Sequence, residues 1–399
     1  MTPDGRRLVG KLPDGIASGH FGTTLVSFVL YQYYHAGVTQ PLIWEQLVDF
    51  GVDISTGQVN RIITEGKDVF HQEKADILRV GLEISSYVHV DDTGARHKGK
   101  NGYATHVGNE LFAFFESTGS KSRVNFLEIL RGEAQDYVVD QGSLELMRLQ
   151  KMPKKQLEAL EGLQGRRFED KKAWESQLKV LGITKQRHVR IATEGALLGS
   201  VLSHGVNPKL IVVSDDAGQF NLLLLLHALC WIHAERHMAK LVGFNDGQRQ
   251  DLDRVRSQVW DLYQILKLYK QSPSDALKSD VLERFDMIFT QKTRFETLNQ
   301  LLKRLHKNKS ELLLVLDHPE LSLHNNLSEG DIREYVKRRK ISGSTRSELG
   351  RRCRDSFASV KKTCRKLGVS FWCFLKDRVS GRNTIRPLPE LMRQRAQGA

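Results

Sequence analysis

Two β-branched apolar runs, each closed by a pair of aspartates, constrain this chain more than any other feature. They are Tyr87-Val88-His89-Val90-Asp91-Asp92 and Leu210-Ile211-Val212-Val213-Ser214-Asp215-Asp216. Val and Ile lose side-chain freedom in helices and pack well on a pleated surface, so each run predicts a strand. Sites in open sheets lie beyond the carboxyl ends of the strands, which places Asp91 and Asp215 at the mouth of a sheet. A third acid, Glu329 in Asn325-Asn326-Leu327-Ser328-Glu329, opens a polar helical segment with the basic far end Lys337-Arg338-Arg339-Lys340. Two strand-end aspartates and a helix-borne glutamate form a hard oxygen donor set, suited to two Mg²⁺ or Mn²⁺ ions. Paired cations about 4 Å apart stabilise both the attacking and the leaving oxygen of a displacement at phosphorus.

Each acid alone has a plainer reading. Asp91-Asp92-Thr93-Gly94 suits a turn, Asp215-Asp216 suits a helix cap, and Asn326-Leu327-Ser328-Glu329 suits a capping box. Their joint order on a sheet pattern, followed by a basic tail, favours a common site.

The rest of the chain supplies the frame. Residues 1–20 are Gly-rich and polar, the pattern of a poorly ordered lead-in. Gln40 to Gly66 reads as two short helices joined by Phe50-Gly51-Val52, with Ser55 or Thr56 capping the second. This is a helix-turn-helix pattern in which Gln58, Asn60 and Arg61 would reach base edges, and equally the pattern of a plain helical hairpin. Strands are predicted at Ser86–Asp91, Gly102–Val107, Glu110–Phe115 and Leu210–Ser214, with a helix over Arg123–Arg131. Residues 133–190 are charged and predict mostly helix, over Leu144–Leu163 and Phe168–Leu181. A long helix is expected from Ala217 to about Val242, helices throughout 246–315, and further helices over Glu329–Lys340 and Ser347–Leu367.

This order predicts an α/β fold: a ribonuclease-H-like core with helical insertions, preceded by a helical N-terminal domain. The expected divisions are 1–78, helical and helix-turn-helix-like; 79–232, the first part of the core, with an insertion at about 133–190; 233–322, an all-helical insertion; 323–345, the glutamate-bearing helix; and 346–399, a basic helical region.

Charge points to the partner. Net charge is +13, and residues 329–399 hold 19 Lys and Arg against 7 Asp and Glu. Nearly all the excess is therefore in that stretch. Arg333, Lys337, Arg338, Arg339, Lys340, Arg351 and Arg352 are the candidate phosphate contacts, since neutralising phosphates releases condensed counterions. No apolar amphipathic anchor accompanies them, which favours nucleic acid over membrane. The longest apolar run, Leu222 to Trp231, is far below the ~20 residues of a membrane span. Four cysteines make no disulfide framework and no basic-then-apolar leader opens the chain, so a cytoplasmic, nucleoid-associated protein is expected. Gly-x-Ser-x-Gly and Gly-x-x-x-x-Gly-Lys motifs are absent. On the helix expected from Ala217, His227, Cys230, His233 and His237 would share one face. That spacing permits zinc, but no second ligand cluster closes it, so a buried polar contact next to the acids is favoured.

These residues together resemble bacterial insertion-sequence transposases of the DDE class, most closely the insertion-sequence-66 group. The matching stretches are His89-Val90-Asp91-Asp92-Thr93; Ser214-Asp215-Asp216 leading to Cys230-Trp231-Ile232-His233-Ala234-Glu235-Arg236; and Asn325-Asn326-Leu327-Ser328-Glu329 with Arg339-Lys340 and Gly343-Ser344 beyond. The resemblance implies Asp91, Asp215 and Glu329 as catalytic triad and ligands of two Mg²⁺ or Mn²⁺ ions, with Cys230 and His233 as supporting Cys-x-x-His element. It implies strand cleavage at element ends and transfer of a 3′-hydroxyl into target DNA, by a homo-oligomer with or without accessory proteins. The chain departs from the group at Asp92 (usually Glu), His324 (usually Asp) and Gly330 (usually Arg), and lacks the longer N-terminal region of many relatives. Two other readings fit the same residues: a structure-specific endonuclease that cuts without joining, and a catalytically idle DNA-binding regulator derived from a transposase.

Overall fold

A computed structural model describes residues 21–398, so the Gly-rich opening at 1–20 lies outside the described residues. The protein is mostly helical around one mixed five-stranded sheet. Its strands are β1 (Tyr87–Gly94), β2 (Tyr103–Gly108), β3 (Ala113–Thr118), β6 (Ile211–Ser214) and β7 (His227–Leu229). The remaining two, β4 (Tyr137–Val139) and β5 (Arg166–Phe168), pair with each other only. The sheet order is β3-β2-β1-β6-β7, antiparallel from β3 to β1 and parallel from β1 to β7. A parallel neighbour needs a long crossover. Here residues 119–210 supply it, including the helices Arg123–Arg131 and Gln186–Ser203, which pack on each other.

The parallel register fixes the geometry of the mouth. Tyr87 pairs with Ile211, Val88 with Val212 and His89 with Val213. The same offset carried two residues further sets Asp91 level with Asp215. Level residues of neighbouring parallel strands face the same side, about 4.8 Å apart.

Three sequence expectations are corrected. First, the strand expected at Glu110–Phe115 begins at Ala113. Asn109 holds a wider turn instead: its N–H donates to Phe112 O (3.0 Å) and its side-chain amide to Ser85 Oγ (2.8 Å). Phe112 then fills the place beside Gly81, where a Cβ would stand 2.6 Å from the ring. Second, the helix expected from Ala217 to Val242 is the strand β7 followed by a helix at Trp231–Ala239. The leucine run has the apolar content of a helix, and its burial at Leu222 and Leu225 is compatible with one, but β7 pairs with β6 directly after it. Leu223 also takes a left-handed φ of 64°, which ends any helix there. Third, 133–190 is broken more finely than expected. Lys151 at φ 59° and Pro153 separate Gln141–Leu149 from Lys154–Glu161, and Phe168 closes β5 before Asp170 caps Lys171–Val180. The long helix Gln186–Ser203 carried no prediction.

β3 is an edge strand, and the helix Glu348–Lys366 covers it. Ala113 N–H donates to Thr363 Oγ1, Phe115 N–H to Ser359 Oγ and Ser117 N–H to Asp355 Oδ2, at 3.2, 2.9 and 2.9 Å. Four helical residues rise about 6 Å and two strand residues about 6.7 Å, so three polar side chains at i, i+4 and i+8 satisfy three alternate N–H groups. One apolar core joins the N-terminal helices, the sheet, the crossover and the C-terminal helices. A second core belongs to the helices between residues 229 and 323. Among the described residues no helix is long and apolar enough to cross a membrane.

Candidate active site

The mouth of the sheet is built by three seats. Asp91 stands near the middle of β1, opposite His106 of β2, and its Oδ1 accepts the Asp92 N–H at 2.7 Å. Burial pushes its carboxyl up to about 6, and Asp215, Asp92 and Glu329 add to the rise against the Asp92 N–H. Asp215 follows directly on β6, and its Oδ1 accepts the Ala217 N–H at 3.1 Å. Asp216 is committed elsewhere: Asn308 donates to Oδ1 at 3.2 Å and Arg304 stands 3.6 Å from Oδ2. Asp92 is held by Thr105 (2.5 Å) and Gln219 (2.9 Å).

Glu329 lies in the first turn of the helix Asn326–Ser342. That helix is clipped to the sheet by buried polar contacts. Asn325, fully buried, shares a hydrogen bond with His89 Nδ1 (2.8 Å) and donates to Val90 O (2.9 Å). His106 Nδ1 meets Ser328 Oγ at 2.6 Å and its Nε2 meets Asp331 Oδ2 at 3.1 Å. The capping box that Asn326-Leu327-Ser328-Glu329 suits, pairing Asn326 with Glu329, is not formed. Asn325 stands at the N-cap position with no side-chain cap, and the Glu329 carboxylate faces Arg236. Arg236 Nη1 donates to Oε1 at 2.6 Å and Nη2 to Oε2 at 3.3 Å. This guanidinium holds the Glu329 carboxyl below the usual carboxylate range against the effect of burial.

The Cys-x-x-His element serves as a joint. Cys230 N–H donates to Ser214 O (2.9 Å), and Cys230 Sγ accepts the Asn325 N–H (3.2 Å), so one buried residue ties the end of β6 to the start of the glutamate helix. Burial pushes the Cys230 thiol up. His233 Nε2 lies 3.3 Å from Arg236 Nη1 and 3.6 Å from Glu329 Oε1. Burial lowers its imidazole, and its Nδ1 has no partner. The shared face expected of His227, Cys230, His233 and His237 does not exist: His227 is in β7, bonded to Ser214 Oγ at 2.7 Å.

Asp91, Asp215 and Glu329 are thus oxygen donors of the kind Mg²⁺ or Mn²⁺ takes, and the Asp91 carboxyl is raised first by burial and then by the neighbouring acids. As the side chains stand, no group of three or more His, Cys, Asp or Glu among the described residues forms a ready cation cage. Glu329 is turned to Arg236 instead. The donor set fits a divalent cation in chemistry, and as the side chains stand Glu329 is paired with Arg236.

The basic candidates separate. Arg333, Lys337 and Lys340 are exposed and lie along the same side of the helix as Glu329, at i+4, i+8 and i+11. Arg338 turns inward: its guanidinium lies 3.9 Å over the Tyr33 ring and donates to Val38 O at 3.4 Å. Arg339 reaches Thr93 Oγ1 at 3.4 Å. Arg351 pairs with Glu348 at 2.7 Å, and with Arg352 it lines a cavity of about 620 Å³ over β3 that none of the three acids enters. In the N-terminal pair of helices, Ser55 is the N-cap of Thr56–Thr64 and Gln58 completes its capping box. Gln58 is thereby engaged with the backbone, whereas Asn60 and Arg61 are exposed. Sequence reasoning gave no role to Arg236, Asn325, His106 or Asp331, although Arg236 and Asn325 stand inside the quoted motifs.

The Transposase IS66 family matches residues 170–352, a span that includes Asp215, Cys230, His233, Arg236 and Glu329. An uncharacterized protein, y4jO, of Sinorhizobium fredii (strain NBRC 101917 / NGR234) is 40% identical over 323 residues, 80% of this chain and 100% of that relative. The chain belongs to the IS66 transposase family. That membership supports a transposase-type function and makes DNA its partner.

Proposed function

We propose that this chain is a DDE-type DNA transposase with a ribonuclease-H-like core, in which Asp91, Asp215 and Glu329 hold two Mg²⁺ or Mn²⁺ ions. The observation that carries the reading is the parallel register, which sets Asp91 level with Asp215 at one end of the sheet while Asn325 clips the Glu329 helix across β1. The strand order β3-β2-β1-β6-β7, with three antiparallel strands followed by two parallel ones, is what such a core requires. Bound at these acids, divalent cations supply Lewis acidity and lower the pKa of water. The chain's own residues do the positioning. Asp91 and Asp215 face the reacting phosphate from adjacent strands, and Glu329 closes the third side. Arg333, Lys337 and Lys340 continue the helix as a basic stripe that holds DNA phosphates without reading sequence. Asn60 and Arg61 sit on the second helix of a helix-turn-helix-like pair and contact the element end. Hydrolysis of the phosphodiester at that end frees a 3′-hydroxyl, which then attacks a target phosphodiester in the same site, forming a new P–O bond as the target strand's own 3′-oxygen leaves as a hydroxyl, within an oligomer that brings two ends together.

The test is a plasmid carrying the flanking terminal repeats, incubated with Mg²⁺ or Mn²⁺. Wild type should nick and join, and Glu329→Gln should bind DNA without cutting. Equal cleavage by both proteins would remove Glu329 from the site. Cleavage without any joined product from a pre-cut end would leave an endonuclease.

A further inference from the structure

One cation already occupies the acidic mouth, and it belongs to the chain. Arg236 presents both guanidinium nitrogens to the two oxygens of Glu329, at 2.6 and 3.3 Å. The helix that carries the fork is anchored at its start. It begins at Cys230, tied to Ser214 O, and at Trp231, whose N–H donates to Leu323 O (3.0 Å) and whose Nε1 donates to Leu312 O (2.8 Å). The same helix is therefore fixed to the end of β6 and to the segment that leads into Glu329. His233 packs beside the fork, 3.3 Å from Arg236 Nη1. Asp91 and Asp215, by contrast, have no ion pair with any Lys or Arg among the described residues, and accept instead from the backbone N–H groups of Asp92 and Ala217.

We propose that Arg236 is a resident counter-ion that competes with divalent metal for Glu329, and so keeps the ligand set open in the free protein. This rests on the two-metal reading of the three acids. Each Glu329 oxygen keeps a second lone pair while it accepts from Arg236, so the competition is one of charge: a guanidinium 2.6 Å from Oε1 opposes the approach of a divalent cation, and metal binding weakens or releases this pair. Arg236 is thus a positioning residue that sets metal affinity. A site left as a bare acidic triad would load cations without DNA, whereas one with a resident guanidinium loads them at a cost. The pair is only partly shielded, with Arg236 46% and Glu329 21% exposed, which keeps that cost modest and reversible.

The experiment is calorimetric titration of Mn²⁺ into the full chain without DNA, for wild type, Arg236→Ala, Arg236→Lys, Glu329→Gln, Asp91→Asn and the double variant Arg236→Ala/Glu329→Gln. Arg236→Ala should bind Mn²⁺ roughly three- to tenfold more tightly than wild type. Arg236→Lys should fall between them, since an ammonium is a point charge and not a fork. The gain should vanish in the Glu329→Gln background. If Arg236→Ala does not fold, judged by its melting curve, Arg236→Gln carries the same comparison. Unchanged or weaker Mn²⁺ binding on loss of the guanidinium overturns the proposal, as does a gain that persists without Glu329. Binding that is lost in Asp91→Asn yet indifferent to Arg236 sinks the competition alone and leaves the metal site standing. No Mn²⁺ binding by any variant removes the two-metal reading and this inference with it.

Discussion

The helix Asn326–Ser342 carries acids on two sides, and the cations that meet them differ in number. On the inner side, Asp331 meets His106 (3.1 Å), Lys366 (2.9 Å) and Lys362 (3.4 Å). One turn on, Glu334 meets Lys361, Lys362 (2.7 Å) and Arg365 (3.3 Å). Burial alone would raise both carboxyls. The surrounding cations outweigh it, holding Asp331 well below the ordinary range and Glu334 at about 2. At the mouth that balance is reversed for Asp91, while Glu329 is still held low. Asp91 is buried among other acids and pushed up to about 6, and a single guanidinium serves Glu329. The acids that hold the fold together meet several cations each, whereas of the acids at the proposed site only Glu329 meets one, and Asp91 is left raised by burial and by its acidic neighbours.

The sharpest way to break this comparison is to neutralise acids one at a time. Asp91→Asn and Asp215→Asn should each lower cleavage of terminal-repeat plasmid by about a thousandfold or more, with DNA binding kept. Asp216→Asn should stay within about tenfold of wild type, because Asp216 is engaged by Asn308 and Arg304 of the helical segment. Equal losses at 215 and 216 would show that the register argument misplaces the site.

The inner acids should fail by a different route. Asp331→Asn leaves Lys362, Lys366 and His106 partly uncompensated in a buried place, and should cost about 3 kcal/mol in urea unfolding. Asp91→Asn should instead stabilise the metal-free protein at pH 7. The dependence on pH gives the sign. The folded Asp91 carboxyl, raised from 3.8 to about 6, binds more protons than the unfolded one between these values, so wild-type stability falls as pH rises through that window. Its advantage over Asp91→Asn is then lost, a difference on the order of 2 kcal/mol between pH 4 and 7. Glu334 acts the other way: its contribution is present above about 4.5 and disappears as pH falls toward 2. Parallel pH curves for wild type and Asp91→Asn would contradict the raised Asp91 carboxyl.

How much of this was legible in the sequence follows from the range of the interactions. β1 and β6 were readable because β-branched runs ending in acids carry a local signal, and the helix bearing Glu329 emerged within a few residues of its expected start. β7 was hidden: His227–Leu229 is a strand only because β6 offers it a parallel edge, while the leucines before it mimic a helix. Arg236 was invisible for the same reason. Its partner is 93 residues away, and nothing in Ala234-Glu235-Arg236 announces which carboxylate it will meet. The basic tract misled most. Lys337-Arg338-Arg339-Lys340 reads as one patch in sequence, but consecutive helical residues point about 100° apart, so the four cannot share a face.

That division yields the finest test of the comparison, since it contrasts two neighbours of like charge. Lys337 is exposed on the side of Glu329, whereas Arg338 lies over Tyr33 with one nitrogen buried and unpartnered. Lys337→Ala should weaken binding to any duplex and reduce the slope of log affinity against log salt by about 1, the signature of one lost phosphate contact. Arg338→Ala should leave that slope unchanged and instead cost about 1 kcal/mol of stability, through loss of the stacked guanidinium. Fluorescence anisotropy with a labelled duplex across a salt series, beside urea unfolding of the same proteins, separates the two. Equal slope changes at 337 and 338 would mean that DNA draws Arg338 off Tyr33, and that the inner and outer sides of this helix are less distinct than its free structure makes them.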